Sequence, residues 1–593
     1  MALPNTNTGS NSGQSAIKRL RVWYGLLIVV VAVFGVRLFY IQIIKYDFYR
    51  NAALSDQLKQ YEIPAARGVI KAYDRDSILP LVLNQKLYTV YADPTYIKNP
   101  DTVADKVAPI IGTKQDSVLK LIKTKKTRYV ILAKKVSAAQ RDKLLALKFP
   151  GVGTEQQNYR TYPQGSLAGQ VLGFVNDEGK GEYGIEQALN KELLGTPGHL
   201  KAITDARGIP LASSKNNVET SPTNGKDVVL TIDLAMQQQL ETILAKGIKN
   251  ANSTAGSAII IDPRSGAVKA MANLPTYDPG QYYKVENGDI FQNPSVSQPI
   301  EVGSIMKTLT TVAALDQGVI NGNSSYTDPG FWLVNGSRIQ NVEEDGGAGT
   351  RTVNDIINLS LNTGATWELM QMGGGSLNEK ARNAWYDYLT NHFMFGKQTG
   401  IEQGYEADGY IPKPVDTGSA INLTYANMAF GQALTATPLQ MGAAMSAVVN
   451  GGTYYEPHLV DGMISGDGTE TKKQPVVVAK NIIKQTTLDQ FLPIMRYSVE
   501  HHNFNPNFDL SKYTLGGKTG TAQIAKPGGG YRDDAYNGTY LGFVGGDAIQ
   551  YVVVVFVKEP HLGTYAGVGA AQPIFSSLTH MLIDDSYVTP KSP

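Results

Sequence analysis

Glu301-Val302-Gly303-Ser304-Ile305-Met306-Lys307-Thr308 is the stretch from which the rest of the chain is read. Gly303 ends a loop, and Ile305, Met306, Leu309, Val312, Ala313, Ala314 and Leu315 continue as an apolar segment that predicts a buried helix starting near Ser304. Residues i and i+3 share a helix face, so the Ser304 hydroxyl and the Lys307 amine are expected to meet. A serine hydroxyl is a poor nucleophile until a neighbour takes its proton. A lysine of ordinary pKa, about 10.4, does not do this at neutral pH. In the first turn of a buried helix, desolvation and the positive end of the helix dipole both disfavour the ammonium. Ser304 is therefore the expected nucleophile and Lys307 its base. Spelling alone does not decide this, because Ser117-Val118-Leu119-Lys120 has the same spacing on an amphipathic surface helix.

Outward from Ser304, a long helical region is expected to about Asn450. Upstream, Gly256 to Asp262 and Ala267 to Ala272 flank the turn Pro263-Arg264-Ser265-Gly266 and predict an antiparallel hairpin, preceded by a strand at Asp227 to Ile232 and a helix at Leu234 to Gly247. Downstream, Lys518 to Ile524, Gly538 to Gly545 and Tyr551 to Lys558 read as strands. The last is nearly continuous valine, as suits a central strand covered on both faces. A last helix follows near Ser576 to Ile583. The fold class is α+β: a sheet assembled from both ends of a domain spanning residues 225–588, with helices against it.

Before this domain, residues 47–224 mix short strands with amphipathic helices. Arg67 to Ile70, Leu79 to Asn84 and Leu87 to Ala92 read as strands, and Lys114 to Lys148 is markedly basic, the pattern of a solvated face. Glycines and prolines around Tyr159-Arg160-Thr161-Tyr162-Pro163, Gly173-Phe174, Gly184-Ile185-Glu186 and Leu194 to Gly198 mark turns to which no reaction can be attached. This unit reads as a scaffold, separated from the next by the polar passage Ser213 to Lys226. Residues 1 to 17 form a polar tail expected to be irregular, and the tail as a whole extends to residue 21. Lys18, Arg19 and Arg21 then precede an apolar run over 22–44, long enough to cross a bilayer if Arg37 snorkels. No convincing small-x-small cleavage site follows, which favours a retained span over a signal peptide. The basic flank keeps the N-terminus cytoplasmic and places the remainder outside the membrane.

Composition excludes several functions. The 593 residues carry 54 Lys+Arg against 52 Asp+Glu, a net charge of +2, without the basic excess of a nucleic-acid binder. The chain has no cysteine, which rules out disulfides and thiolate chemistry. Seven scattered histidines without a His-Glu-x-x-His pattern give no metal site, and only His501 and His502 are adjacent.

Two further motifs follow Ser304 in order. Ser360-Leu361-Asn362 lies after the helix-like Val353 to Leu359, and Lys518-Thr519-Gly520-Thr521 opens a strand. Each is cheap alone, since Ser214-Lys215-Asn216 also spells Ser-x-Asn. Together, Ser304-x-x-Lys307, Ser360-x-Asn362 and Lys518-Thr519-Gly520 resemble the active site of penicillin-binding proteins and serine β-lactamases. The anchor, Arg67-Gly68, Tyr162-Pro163, the Gly-x-Glu segment and Thr437-Pro438-Leu439-Gln440 extend the likeness over nearly the whole chain, to a class B penicillin-binding protein, a monofunctional peptidoglycan DD-transpeptidase.

That resemblance implies that Ser304 attacks the penultimate D-Ala carbonyl of a stem peptide, with Lys307 as base and Ser360 and Asn362 relaying the proton and holding the peptide amide. Lys518 and Thr519 would engage the terminal carboxylate, Gly520 would let the ligand approach the strand, and the N–H groups of Ser304 and Thr521 would form the oxyanion hole. It implies acylation by β-lactams and no cofactor. The pattern from Gly529-Gly530-Tyr531 through Tyr540 to Gly545 is more like the division type, implying a SEDS-type glycosyltransferase and divisome proteins as partners; no segment resembles a glycosyltransferase domain. Val302 stands where family members commonly have proline, and no extension of small repeat domains follows the last helix. A β-lactamase or β-lactam sensor would use the same three motifs, but no Glu-x-x-Leu-Asn pattern lies between Asn362 and Lys518, and only about twenty residues precede the span. A non-catalytic scaffold would have no physical need of Lys307 beside Ser304.

Overall fold

The computed structural model describes residues 12–124, 126–203, 218–341, 347–415, 420–501, 508–526 and 530–593. The start of the Ser213 to Lys226 passage, Ser214-Lys215-Asn216 and Gly529 lie outside them. The chain forms two compact units, one of residues 1–65 with 196–224, the other of residues 66–195 with 225–593. The segment 47–224 thus contributes to both.

In the smaller unit, the helix Ser12–Phe39 continues through a wider helical turn, Tyr40–Ile44. It begins inside the tail expected to be irregular, since adding a residue to a helix already formed costs little. Residues Ile17–Ile44 are long and apolar enough to cross a membrane. Arg37 lies over the Tyr40 ring, 5.6 Å from its centroid, near the end of that stretch. A second helix, Tyr46–Gln57, and a three-stranded antiparallel sheet of Leu58–Ile63, Gly198–Ile203 and Val218–Thr220 complete the unit.

The larger unit is built on a five-stranded antiparallel sheet in the order Ala267–Leu274, Ala255–Asp262, Ile549–Lys558, Tyr531–Gly545, Thr514–Ala525. The valine run is its middle strand, and alternation sends its side chains to opposite faces. Val552 and Val554 pack with Leu309, Val312 and Met441, whereas Val553, Val555 and Val557 pack with Leu240, Leu244, Phe575 and Leu578. Each such burial stabilises by roughly 1.5–3 kcal/mol, which is why this strand tolerates no polar face. Helices Leu234–Asn250 and Gln572–Asp584 cover one side, and Met306–Asp316 and Pro438–Val449 the other. The latter opens with a capping box: Gln440 accepts from the Thr437 N–H at 2.8 Å while Thr437 Oγ1 accepts from the Gln440 N–H at 3.2 Å.

The region after Ser304 is not helical throughout. A small antiparallel pair, Ser325–Asp328 with Gly349–Thr352, and a hairpin that lies between its strands in the chain, Phe331–Val334 with Ser337–Gln340, interrupt it. Asn335 (φ 47°) and Gly336 (φ 79°) form the tight turn of the second.

A second sheet draws on segments far apart in sequence. Asp227–Asp233 pairs in parallel with Ile70–Asp74 and antiparallel with Val460–Ile464. The strands expected at Leu79 to Asn84 and Leu87 to Ala92 are one, Ser77–Ala92, because Asn84, Gln85 and Lys86 stay extended to pair with Arg160, Tyr159 and Asn158. Beside this sheet lies the meaning of the turn motifs. Arg67 Nε donates to Glu186 Oε2 at 2.8 Å, Arg160 Nε donates to Glu186 Oε1 at 2.6 Å, and Arg160 Nη1 reaches the Gly68 carbonyl at 2.7 Å. Glu186 is fully buried. Removing one partner of such a cluster leaves an uncompensated charge indoors, so Glu186→Gln is expected to cost about 3–5 kcal/mol. Urea denaturation of the full chain checks this, and an unmoved midpoint would contradict it.

Candidate active site

Ser304 sits in a 3-10 turn, Gly303–Ile305, that runs directly into helix Met306–Asp316. The α-helix therefore begins two residues later than Ser304, and Lys307 occupies its first turn. The loop is fixed from three sides. Gly303 has φ 64°, open to glycine at little cost, and its N–H donates to the Gly431 carbonyl at 3.0 Å. Val302 is buried, and its carbonyl accepts from Thr539 Oγ1 at 2.8 Å. Its φ of −81° lies near the value a proline ring would impose, so packing sets here what proline would set by covalent geometry. Glu301 Oε1 accepts from the Ala433 N–H at 3.0 Å and the Tyr531 hydroxyl at 2.9 Å, and burial raises this carboxyl above the usual range.

Lys307 has no exposed surface. Its Nζ donates to the Ser360 carbonyl and lies 3.1 Å from Ser360 Oγ. Both contacts come from one residue because Ser360, between helices Val353–Asn358 and Asn362–Met372, has φ 57°. A left-handed serine costs of order 1–3 kcal/mol and persists only where its surroundings over-determine it. Here Leu361 is buried, with its N–H on the Ile356 carbonyl at 3.0 Å. Asn362 Nδ2 donates to the Gln340 carbonyl at 3.0 Å, tying the turn to the small hairpin.

The Lys-Thr-Gly motif lies in the middle of strand Thr514–Ala525, not at its opening. This strand ends the sheet order, and its register sets Lys518 opposite Leu541 and Gly520 opposite Thr539. Lys518 is 3% exposed, and its Nζ donates to the Thr519 carbonyl at 3.1 Å and Thr519 Oγ1 at 3.3 Å. A Cβ on Gly520 would lie 2.2 Å from Thr539 Oγ1 and 3.0 Å from the Val302 carbonyl oxygen. A Cβ on Gly303 would lie 3.0 Å from the Thr521 carbonyl oxygen. The Ser304 loop and Gly520-Thr521 are thus in backbone contact. Thr521 Oγ1 in turn accepts from the Gly567 N–H at 3.1 Å.

All three motifs therefore converge: Ser304 and Lys307 share one turn, Ser360 touches Lys307, and the Lys518 strand flanks Ser304. Sequence reasoning missed Gly431, Thr539, Gly567 and the pair Glu301–Tyr531, which hold these groups. It also missed Glu368, a lone acid in the apolar Trp367-Glu368-Leu369-Met370, the one signal that composition could have supplied.

A helix-covered antiparallel sheet that presents a serine–lysine turn to its edge strand defines the class of penicillin-interacting serine proteins. The chain belongs to the penicillin-binding protein family: residues 256–580 match the penicillin binding protein transpeptidase domain and residues 62–230 the penicillin-binding protein dimerisation domain, the pairing of the class B members. It is 28% identical over 582 residues to stage V sporulation protein D of Bacillus subtilis, covering 97% of this chain and 87% of that one. It is 24% identical over 575 residues to peptidoglycan D,D-transpeptidase FtsI of Escherichia coli, covering 94% and 90%. Among solved structures, penicillin binding protein 3 of Mycobacterium tuberculosis in complex with aztreonam superposes with a TM-score of 0.66 at 24% identity, covering 90% of this chain and 99% of that one. This last likeness speaks for the fold.

Gly520 permits the closest approach in the site. Gly520→Ala is expected to push the strand off the Ser304 loop and lower the rate of β-lactam acylation by about 100-fold, the cost of misplacing a reacting group by ~1 Å. Stopped-flow acylation with a chromogenic cephalosporin measures it, and a wild-type rate would show that the contact carries no catalytic weight.

Proposed function

We propose that this chain is a serine D-Ala-D-Ala transpeptidase that cross-links peptidoglycan stem peptides, with Ser304 as nucleophile and Lys307 as base. The observation that carries the reading is the buried Lys307 amine, held on Ser360 within the same helical turn as Ser304. Ser304 Oγ attacks the penultimate D-Ala carbonyl carbon while its proton passes to Lys307 Nζ. The oxyanion is met by the N–H groups of Ser304 and Thr521. The peptide C–N bond then breaks, Lys307 returns the proton through the Ser360 hydroxyl to the departing amine, and terminal D-Ala leaves. A second stem's amine attacks the acyl-Ser304 ester, its proton returns to Ser304 Oγ, and the cross-link is closed. Asn362 holds the stem's amide, and Lys518 and Thr519 receive the carboxylate. The stem lies along the edge of strand Thr514–Ala525 as an added strand, with Gly520 keeping that strand against the Ser304 loop.

In this reading 22–44 is the membrane anchor with residues 1–21 cytoplasmic, 47–224 the scaffold and 225–588 the domain that does the chemistry outside the membrane. Lys18, Arg19 and Arg21 support the orientation. The resemblance in Gly530-Tyr531 and Tyr540 to Gly545 supports a role in division, with a SEDS-type glycosyltransferase and divisome proteins as partners. A fluorescent fusion should then gather at the septum, and a signal confined to the lateral wall would remove that assignment.

Intact-protein mass spectrometry of the detergent-solubilised chain after incubation with a β-lactam should show a stable adduct on the wild type and none on Ser304→Ala. Drug hydrolysis without adduct would point to a lactamase, and an adduct on Ser304→Ala would remove Ser304 as the nucleophile.

A further inference from the structure

Helix Asn362–Met372 packs on helix Met306–Asp316 and carries Glu368 into the contact with no exposed surface. Thr311 Oγ1 donates to Glu368 Oε1 at 2.8 Å. Thr311 lies four residues beyond Lys307, so the carboxyl rests against the helix face that carries Lys307, one turn deeper. The second oxygen, Oε2, is buried with no hydrogen-bond partner. The titratable groups whose charges act between Glu368 and its surroundings, among the described residues, are Lys307 and Tyr326. Tyr326 is buried and donates to Asp328 Oδ2 at 3.1 Å. On the other neighbouring elements, Asp355 is engaged with Thr352, Arg382 with Asn422, Tyr425 with the Pro412 carbonyl, and Arg338 lies over the Phe331 ring. Burial pushes the Glu368 carboxyl up to about 8, opposed by the Thr311 hydrogen bond and the charge of Lys307.

We propose that Glu368 is a positioning residue for acylation, a buried acid that balances the charge of Lys307 and so sets whether Lys307 waits as an amine or as an ammonium. A single charge is costly in this interior, which favours the two net-neutral forms of the pair: amine with carboxylic acid, and ammonium with carboxylate. These hold the same number of protons, so pH does not interconvert them. Only the amine accepts the Ser304 proton, so of the two the first is reactive, and the acid limb of acylation is the loss of the pair's remaining proton from the ammonium–carboxylate form, which leaves the amine. Glu368 exchanges no atom with the substrate. The inference rests on the reading of Ser304 and Lys307 given above.

Glu368→Gln keeps the size and the acceptor for Thr311 but is never negative. Lys307 then loses the carboxylate that favours its ammonium, and an opposite charge nearby moves a pKa by about 1–3 units. The acid limb of Ser304 acylation, followed against pH with a fluorescent penicillin on the full-length protein in detergent, is expected to move down by about one pH unit or more. Thr311→Val, which removes the hydrogen bond that favours the carboxylate, should move it the same way, and Glu368→Asp should restore it. A rate lowered equally at every pH with the limb unmoved would make Glu368 a packing residue and overturn the proposal. A wild type whose Ser304 is not acylated at any pH would overturn the underlying reading as well.

Discussion

A lysine with none of its surface in water has to find polar partners inside the protein, and the site depends on how Lys307 does so. One partner is Ser360, whose left-handed backbone turns carbonyl and hydroxyl toward the same nitrogen. A serine in the ordinary helical region would continue Val353–Asn358 and take its carbonyl and hydroxyl away from Lys307. The strain at Ser360 and the burial of Lys307 are thus two sides of one arrangement. Helix Asn362–Met372 starts where it does because that bend comes first.

The second constraint is close approach of main chain to main chain. A Cβ on Gly431 would lie 2.0 Å from the Gly303 carbonyl oxygen, and one on Gly567 would lie 2.5 Å from that of Gly520. With Gly520 itself against Thr539 and Val302, these contacts form a continuous path from the Ser304 loop through the edge strand to the turn before the last helix. Apart from the Thr539 hydroxyl this path is main chain, so the relative positions of Ser304 and Thr521 are set largely by peptide groups, which move less than side chains do.

Much of this was legible in the sequence because the signals are local. The valine run, the hairpin around Ser265-Gly266 and the i, i+3 relation of Ser304 and Lys307 depend on spacing over a few residues. Asn335-Gly336 is an equally local turn signal, set inside a stretch whose expected state is helical. What was not legible depends on partners remote in sequence. Arg67 and Glu186 are 119 residues apart and Arg160 meets the Gly68 carbonyl over a separation of 92, so no window contains the cluster. The positive φ of Ser360 is a property of what packs on either side of it, and serine carries no mark of it. Glu368 acquires its character from Lys307 and Thr311 on another helix.

The order of strands in the sheet also bears on how the chain is made. The hairpin Ala255–Asp262 with Ala267–Leu274 is complete early, yet its inner edge pairs with Ile549–Lys558, the last strand to emerge among the described residues. Throughout translation of the intervening segment that edge has no mate, and an unpaired apolar strand is a template for association with other chains. The nascent chain therefore passes through a vulnerable interval that ends only when its distal tenth arrives. During that interval it relies on slow aggregation or on a chaperone holding the open edge.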